Sequence, residues 1–167
     1  MSDRFRLTLA QLNPTVGDIE GNAAQARAAW EAGRKAGANL VALPEMFITG
    51  YNTQDLVMKP VFHQSAIAAI EMLALECADG PALCIGGPAL EGASLYNAYY
   101  ILSGGKISAC VLKHHLPNET VFDEERLYDS GPVNGPYTVD GVRIGSPICE
   151  DSWYEDVAET LAETGAE

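Results

Sequence analysis

The stretch Asn39-Leu40-Val41-Ala42-Leu43-Pro44-Glu45-Met46 decides the fold class. Residues 39–43 are an apolar run too short for a core helix, and Pro44 ends it because proline offers no N–H to a ladder; the run reads as a buried strand. Just upstream, Ile19, Ala23, Ala26, Trp30 and Gly33 recur at helical spacing, with Gln25, Glu31 and Lys35 on the other side. Asp18 is placed to cap that helix and Gly37 to stop it. Before it, Leu7 to Leu12 reads as a first strand and Asn13 to Asp18 as a turn. After it, Val61 to Cys77 reads as a second helix, and Ala82 to Ile85 as a third strand stopped by Gly86-Gly87-Pro88. Two hairpins follow: Leu95 to Leu102 with Lys106 to Leu112 around Gly104-Gly105, and Tyr137 to Val139 with Val142 to Ile148 around Asp140-Gly141. Asp123 to Asp129 reads as an acidic loop or short helix, and Tyr154 to Thr164 as a last helix. The order predicts a mixed α/β protein with helices packed on a sheet.

The chain has 167 residues, enough for one sizeable core. A net charge of -13 argues against nucleic acid, since phosphate binding needs clustered Lys and Arg. No stretch approaches a membrane span and the first apolar run is too short for a signal peptide, so the expected location is the cytoplasm. The four cysteines form no C-x-x-C pair. Cys77, Cys84 and Cys110 read as buried small hydrophobes.

Cys149 is different. It sits in Ser146-Pro147-Ile148-Cys149-Glu150-Asp151-Ser152-Trp153, where a strand breaks into a charged turn before a helix. That is where a nucleophile stands, with the N–H groups of a following helix and a lysine to favour thiolate. Glu45 and Lys113 also end apolar runs, so the three together fit thiol-based amide hydrolysis: nucleophile, proton carrier and oxyanion partner. Each also has a plainer reading. Cysteine after a strand is usually structural, glutamate after Leu-Pro is usually a solvated loop charge, and lysine ending a strand is usually a guard against edge pairing. His114-His115 invites a metal reading. Adjacent residues on a strand face opposite sides, however, and no third ligand stands near in sequence, so both read as structural and no metal site is expected.

These segments together resemble the nitrilase (carbon–nitrogen hydrolase) superfamily, which carries a Glu-Lys-Cys triad in this chain order. Leu43 to Met46 with Thr49-Gly50-Tyr51 resembles its glutamate motif, Lys113 to Pro117 its lysine motif, and Ile148 to Asp151 with Trp153 its cysteine motif. Ala10 to Asp18, Gln54-Asp55-Leu56, Leu116-Pro117-Asn118, and Val121 to Glu124 with Arg126 resemble the glutaminase domain of glutamine-dependent NAD synthetases. The resemblance implies a nitrilase-like α-β-β-α sandwich that hydrolyses glutamine to glutamate and ammonia, which a second, ATP-using domain consumes. It implies Glu45 as base, Lys113 as oxyanion stabiliser, Cys149 as the nucleophile that forms a thioester, and Glu124 as a supporting glutamate. Tyr51, Glu119, Glu150 and Trp153 correspond to substrate-binding positions. The resemblance further implies glutamine and a synthetase domain as partners, a homo-oligomer, and no cofactor in this domain; ATP and Mg belong to the synthetase domain, which this sequence lacks.

Two departures stand out. Glu119 occupies a position where the family has tyrosine, placing negative charge near the substrate carboxylate. Gly165-Ala166-Glu167 repeats the Gly37-Ala38-Asn39 pattern that leads into a strand. The expectation is that residues 1–167 are the front of a glutaminase domain, incomplete at its C-terminal end, with weak or no glutaminase activity alone. A non-catalytic module of the same fold and a stand-alone amidase are the competing readings.

Overall fold

The computed structural model describes residues 4–167. Its elements are β1 (Leu7–Leu9), α1 (Ile19–Lys35), β2 (Leu40–Ala42), α2 (Pro60–Glu76), β3 (Ala82–Glu91), β4 (Ser94–Ser103), β5 (Lys106–Leu112), β6 (Tyr137–Val139), β7 (Val142–Ile144) and α3 (Glu155–Glu163). β1 to β5 form one five-stranded sheet in chain order, and β6 and β7 a separate pair. β1, β2 and β3 are parallel, as strands joined through helices must be when the chain returns to the same end. β3, β4 and β5 are antiparallel neighbours.

The alternation of side chains along the strands builds two cores. Val41, Leu83, Ile85 and Leu102 face α1 and α2, where Ala23, Ala26, Ala66, Ile70 and Leu73 meet them. The intervening residues Leu40, Cys84 and Ile101 face the other way and are covered by Tyr137 and Val139 of β6 and by Ile148. The sheet is therefore sandwiched between a helical layer and the β6–β7 pair. α3 lies beside β7, where Gly145 gives room to the Leu161 side chain.

Most expected boundaries agree within two residues, and three differences matter. First, β3 does not stop at Gly86-Gly87-Pro88 but runs through them to Glu91 and pairs with β4 along its length. The glycines mark close approach rather than a turn. A Cβ on Gly86 would lie 2.1 Å from the Met46 N and 2.7 Å from the Glu45 Cα, so only glycine lets the Glu45 loop rest on β3. Second, the β6–β7 hairpin ends at Ile144, and Gly145 to Ile148 lead out of it without ladder pairing. Third, Cys110 is exposed, on β5 opposite Tyr100; Cys77 and Cys84 are buried as expected.

The expected caps form. Asp18 accepts the Gly21 N–H at 2.9 Å. Gly37 and Gly165 both take positive φ, and the paired bonds Ala38 N–H to Gly33 O and Ala166 N–H to Leu161 O give α1 and α3 the same C-terminal geometry. Two residues beyond each glycine a backbone N–H bonds a neighbouring segment: Asn39 N–H to Arg6 O beside β1, and Glu167 N–H to Arg143 O of β7, both at 2.8 Å. No helix is long and apolar enough to cross a membrane among the described residues.

Candidate active site

β2, β4 and β5 bring the site together. β2 ends at Ala42, and the loop after it delivers Glu45. That loop is pinned from several sides. Ile48 N–H bonds Gly86 O at 3.0 Å, Gly17 N–H bonds Thr49 O at 2.9 Å, and the buried Asn22 amide donates to Ile48 O at 3.1 Å. The first turn, from residue 13 to 18, thus holds the glutamate loop as well as starting α1. Lys113 continues β5 past its last ladder residue, with its N–H on Asn97 O at 2.8 Å. Its side chain is fully buried, and its Nζ donates to Glu45 Oε1 at 2.7 Å and to Glu124 Oε2 at 2.9 Å.

The acidic stretch 123–129 forms a tight turn rather than a helix. Leu127 and Tyr128 N–H groups close onto Glu124 O, which buries the Glu124 side chain to 1% exposure. Tyr51 Oη donates to Glu124 Oε1 at 2.8 Å. A buried lysine between two carboxylates keeps its proton. Burial alone would lower the Lys113 pKa, but Glu45 and Glu124 outweigh burial and raise it. Burial raises the Glu124 pKa against the pull of Lys113. Lys113, the expected oxyanion partner, is therefore a held cation.

Asn97 completes this cluster, and no motif in the sequence marks it. It is fully buried on β4, and its Nδ2 donates to Glu45 Oε1 at 2.7 Å, with both Glu124 oxygens at 3.4 Å. Its Oδ1 has no hydrogen-bond partner among the described residues. An uncharged double donor between two carboxylates supports both without adding charge. Only its burial beside Lys113 across the β4–β5 ladder gives it away.

Cys149 opens a one-turn 3-10 helix, Cys149–Trp153, at a φ of 47°. Positive φ is a strained state for a non-glycine residue, the kind that recurs at catalytic turns. What holds the turn is Asp151, 2% exposed. One carboxylate oxygen accepts the Ile148 N–H at 3.1 Å, and the other accepts the N–H groups of His114 and His115 at 3.1 and 2.8 Å. Asp151 thereby staples the cysteine turn to the segment that carries Lys113. Cys149 is exposed and shares a cavity of ≈ 340 Å³ with Glu45, Tyr99, Ser146 and Leu43. The Tyr99 hydroxyl donates to Leu43 O at 2.7 Å and fixes that wall.

The electrostatics reverse one expectation. Partial burial raises the Cys149 thiol pKa, Glu45 adds to the rise, and Lys113 offsets only part of it. Burial first, and the Glu45 carboxylate after it, favour the thiol over the thiolate at this sulfur. That arrangement calls for a base at the moment of attack, and Glu45 is the carboxylate on the cavity wall.

The expected substrate-binding residues divide. Glu119 and Glu150 line a second cavity of ≈ 450 Å³ together with Asn118, Phe122, Glu125 and Tyr154. Tyr51 stands between the sites, bonded to Glu124 and 6.2 Å from the Phe122 ring. Trp153 is 80% exposed and lines neither cavity, since the 3-10 turn points it outward.

The His114-His115 geometry also departs from the sequence reading. β5 ends at Leu112, so strand alternation does not apply, and both imidazoles turn toward Asp156 of α3.

Comparison with known proteins fits this geometry. Residues 6–167 match the carbon-nitrogen hydrolase family model. The glutamine-dependent NAD(+) synthetase of Rhodobacter capsulatus is 59% identical over the whole chain, which covers 30% of that protein. The chain spans about 30% of the length of the curated relatives it matches. The structure of the Acinetobacter baumannii glutamine-dependent NAD+ synthetase superposes on 98% of this chain, 31% of its own, with a TM-score of 0.88 and 26% identity. An amidase from Nesterenkonia sp. shares the fold at a TM-score of 0.81 and 20% identity, covering 98% of this chain and 62% of its own. With Glu45 bonded to the buried Lys113 and sharing a cavity wall with Cys149, and with the family model matched over residues 6–167, the chain belongs to the carbon-nitrogen hydrolase family.

Proposed function

We propose that this chain carries the site that hydrolyses the side-chain amide of glutamine through a thioester on Cys149, releasing ammonia for NAD synthesis by a synthetase domain, with only weak turnover by residues 1–167 alone. The observation that carries the proposal is the fully buried Lys113, bonded to two carboxylates, one of which shares the Cys149 cavity. The 59% identity to a glutamine-dependent NAD(+) synthetase supports the choice of amide.

In this reading the Cys149 thiol proton passes to Glu45 as sulfur attacks the amide carbon. The carbonyl π electrons move to oxygen, and the Lys113 ammonium offsets that charge. As the C–N bond breaks, Glu45 returns the proton to nitrogen and ammonia leaves. Water then attacks the thioester, giving one proton to Glu45, which passes it to the departing thiolate. Glutamate is released and the enzyme is restored. Glu124 and Asn97 keep Lys113 and Glu45 in place throughout. No step calls on a metal or an organic cofactor; ATP and Mg belong to the synthetase reaction.

The test is glutamate release from glutamine, measured beside a Cys149→Ala control. Release that depends on Cys149 supports the proposal; release that persists in the control refutes it. One observation favours a second reading. Glu119, Glu125 and Glu150 line the cavity next to the cysteine turn, and no lysine or arginine lines it with them. That surface suits a small amide carrying a positive charge. Glu119→Tyr then separates the readings: it improves KM for glutamine if glutamine is the substrate and worsens KM for a cationic amide if that is.

A further inference from the structure

The imidazoles of His114 and His115 and the carboxylate of Asp156 form a cluster outside the cavity that holds Cys149, with one ligand atom from each within 4.8 Å of the others. His115 Nε2 lies 2.9 Å from Asp156 Oδ1, and His114 Nε2 lies 3.8 Å from Oδ2. A tetrahedral zinc about 2.0–2.1 Å from each donor sets its donors roughly 3.3 Å apart, between these two separations.

The surroundings prepare the donors. His114 Nδ1 lies 2.6 Å from Gly131 O, so that nitrogen carries the proton and Nε2 keeps its lone pair for the cluster. A ring N–H given to a backbone carbonyl is the usual outer support of a metal-bound histidine. The His115 ring is stacked on Tyr154 with centroids 4.0 Å apart, which fixes its plane. The backbone N–H groups of both histidines are held by Asp151. Asp156 is half exposed, which leaves a coordination position open to water.

From this geometry we infer that His114, His115 and Asp156 form a binding site for a divalent transition-metal ion, zinc above all, that clamps α3 to the segment carrying Lys113. Two imidazoles and one carboxylate select zinc, nickel or copper over magnesium and calcium, which prefer all-oxygen shells. A bound ion would link the start of α3 directly to residues 114–115, beside the link Asp151 already makes. Its effect falls on the rigidity of the Cys149 turn, and the site stands whichever amide Cys149 cleaves.

The test is titration with zinc chloride by calorimetry, in a Cys110→Ser, Cys149→Ser background that removes the exposed thiols as competing ligands. Cobalt(II) absorption in the same background reports the coordination shell. The expected results are one zinc per chain, a zinc-dependent rise in melting temperature, and visible cobalt bands without thiolate charge transfer. Asp156→Asn keeps the side-chain volume, and His114→Gln keeps a polar side chain; each weakens zinc binding at least about tenfold while the far-UV circular dichroism is unchanged. Absence of binding in the background protein overturns the inference. So does stoichiometric binding that survives both substitutions, or binding of magnesium as tight as that of zinc.

Discussion

Gly86 offers a direct test of how the sheet positions Glu45, the proposed base. A Cβ added there would sit 2.1 Å from Met46 N, 2.6 Å from Glu45 C and 2.7 Å from Glu45 Cα, all backbone atoms that cannot rotate away. The Glu45 loop must retreat by roughly 1 Å to restore ordinary contact, at about 1–3 kcal/mol of overpacking. That retreat pulls against the 3.0 Å bond from Ile48 N–H to Gly86 O and lengthens the 2.7 Å contact between Glu45 and Lys113. A displacement of this size at a catalytic group costs on the order of 100-fold in rate. Gly87 is the control. Its added Cβ meets only side-chain atoms, Ile48 Cγ2 and Ile70 Cδ1, each at 2.7 Å on the helical face of the sheet. Both variants are assayed by urea denaturation and by the rate at which a diazoketone analogue of glutamine labels Cys149. Gly86→Ala lowers stability and slows labelling about 100-fold; Gly87→Ala lowers stability by a similar amount and labels at the native rate once its folded fraction is counted. Native-rate labelling of Gly86→Ala, or equal slowing in both, would refute the argument.

Other consequences follow from the buried cluster. Lys113→Met leaves Glu45 and Glu124 facing each other without a cation; a loss of about 3–5 kcal/mol is expected by urea denaturation, and Lys113→Met with Glu124→Gln recovers part of it. Asp151→Ala frees three backbone N–H groups at once, costing roughly 3 kcal/mol or more, and hydrogen exchange at His114, His115 and Ile148 speeds up before the sheet opens. Burial and Glu45 push the Cys149 thiol above its ordinary pKa, so its alkylation by iodoacetamide accelerates as pH rises into the alkaline range. Glu45 contributes to the rise, so Glu45→Gln shifts the alkylation profile to lower pH. An unchanged profile would remove Glu45 from the neighbourhood of the sulfur.

The sequence carries much of this architecture because local rules and tertiary demands agree there. The strand at 40–42 ends in proline, Asp18 caps α1, and Gly37 stops it, all for reasons a few residues long. Lys113 directly follows β5, Glu45 stands three residues past β2 and Cys149 five past β7, so each lies in the loop beyond a strand, and that is a local signal too. What escapes local reading acts across the fold. Gly86-Gly87 imitates a turn, because nothing nearby in sequence shows that the Glu45 loop will lie on it. Asn97 is an ordinary strand residue until β5 places Lys113 beside it. Asp151 resembles a solvated acid of a charged turn until three N–H groups from two segments converge on it. Strand alternation sets the histidine pair on opposite faces, a rule that ceases to hold where β5 ends at Leu112, and Asp156 comes to the pair only through the placement of α3.

The account rests on Cys149 being a thiol activated by Glu45, and intact-mass analysis after exposure to the diazoketone analogue of glutamine tests that most directly. Cys110 is a second surface thiol, but burial pushes its pKa up to about 12, so the comparison that decides is Cys149 with and without Glu45. The predicted result is a single adduct on Cys149, absent in Cys149→Ala and slowed at least about 100-fold in Glu45→Gln. Labelling of Cys110 at a matching rate, or undiminished labelling of Cys149 in Glu45→Gln, would contradict it.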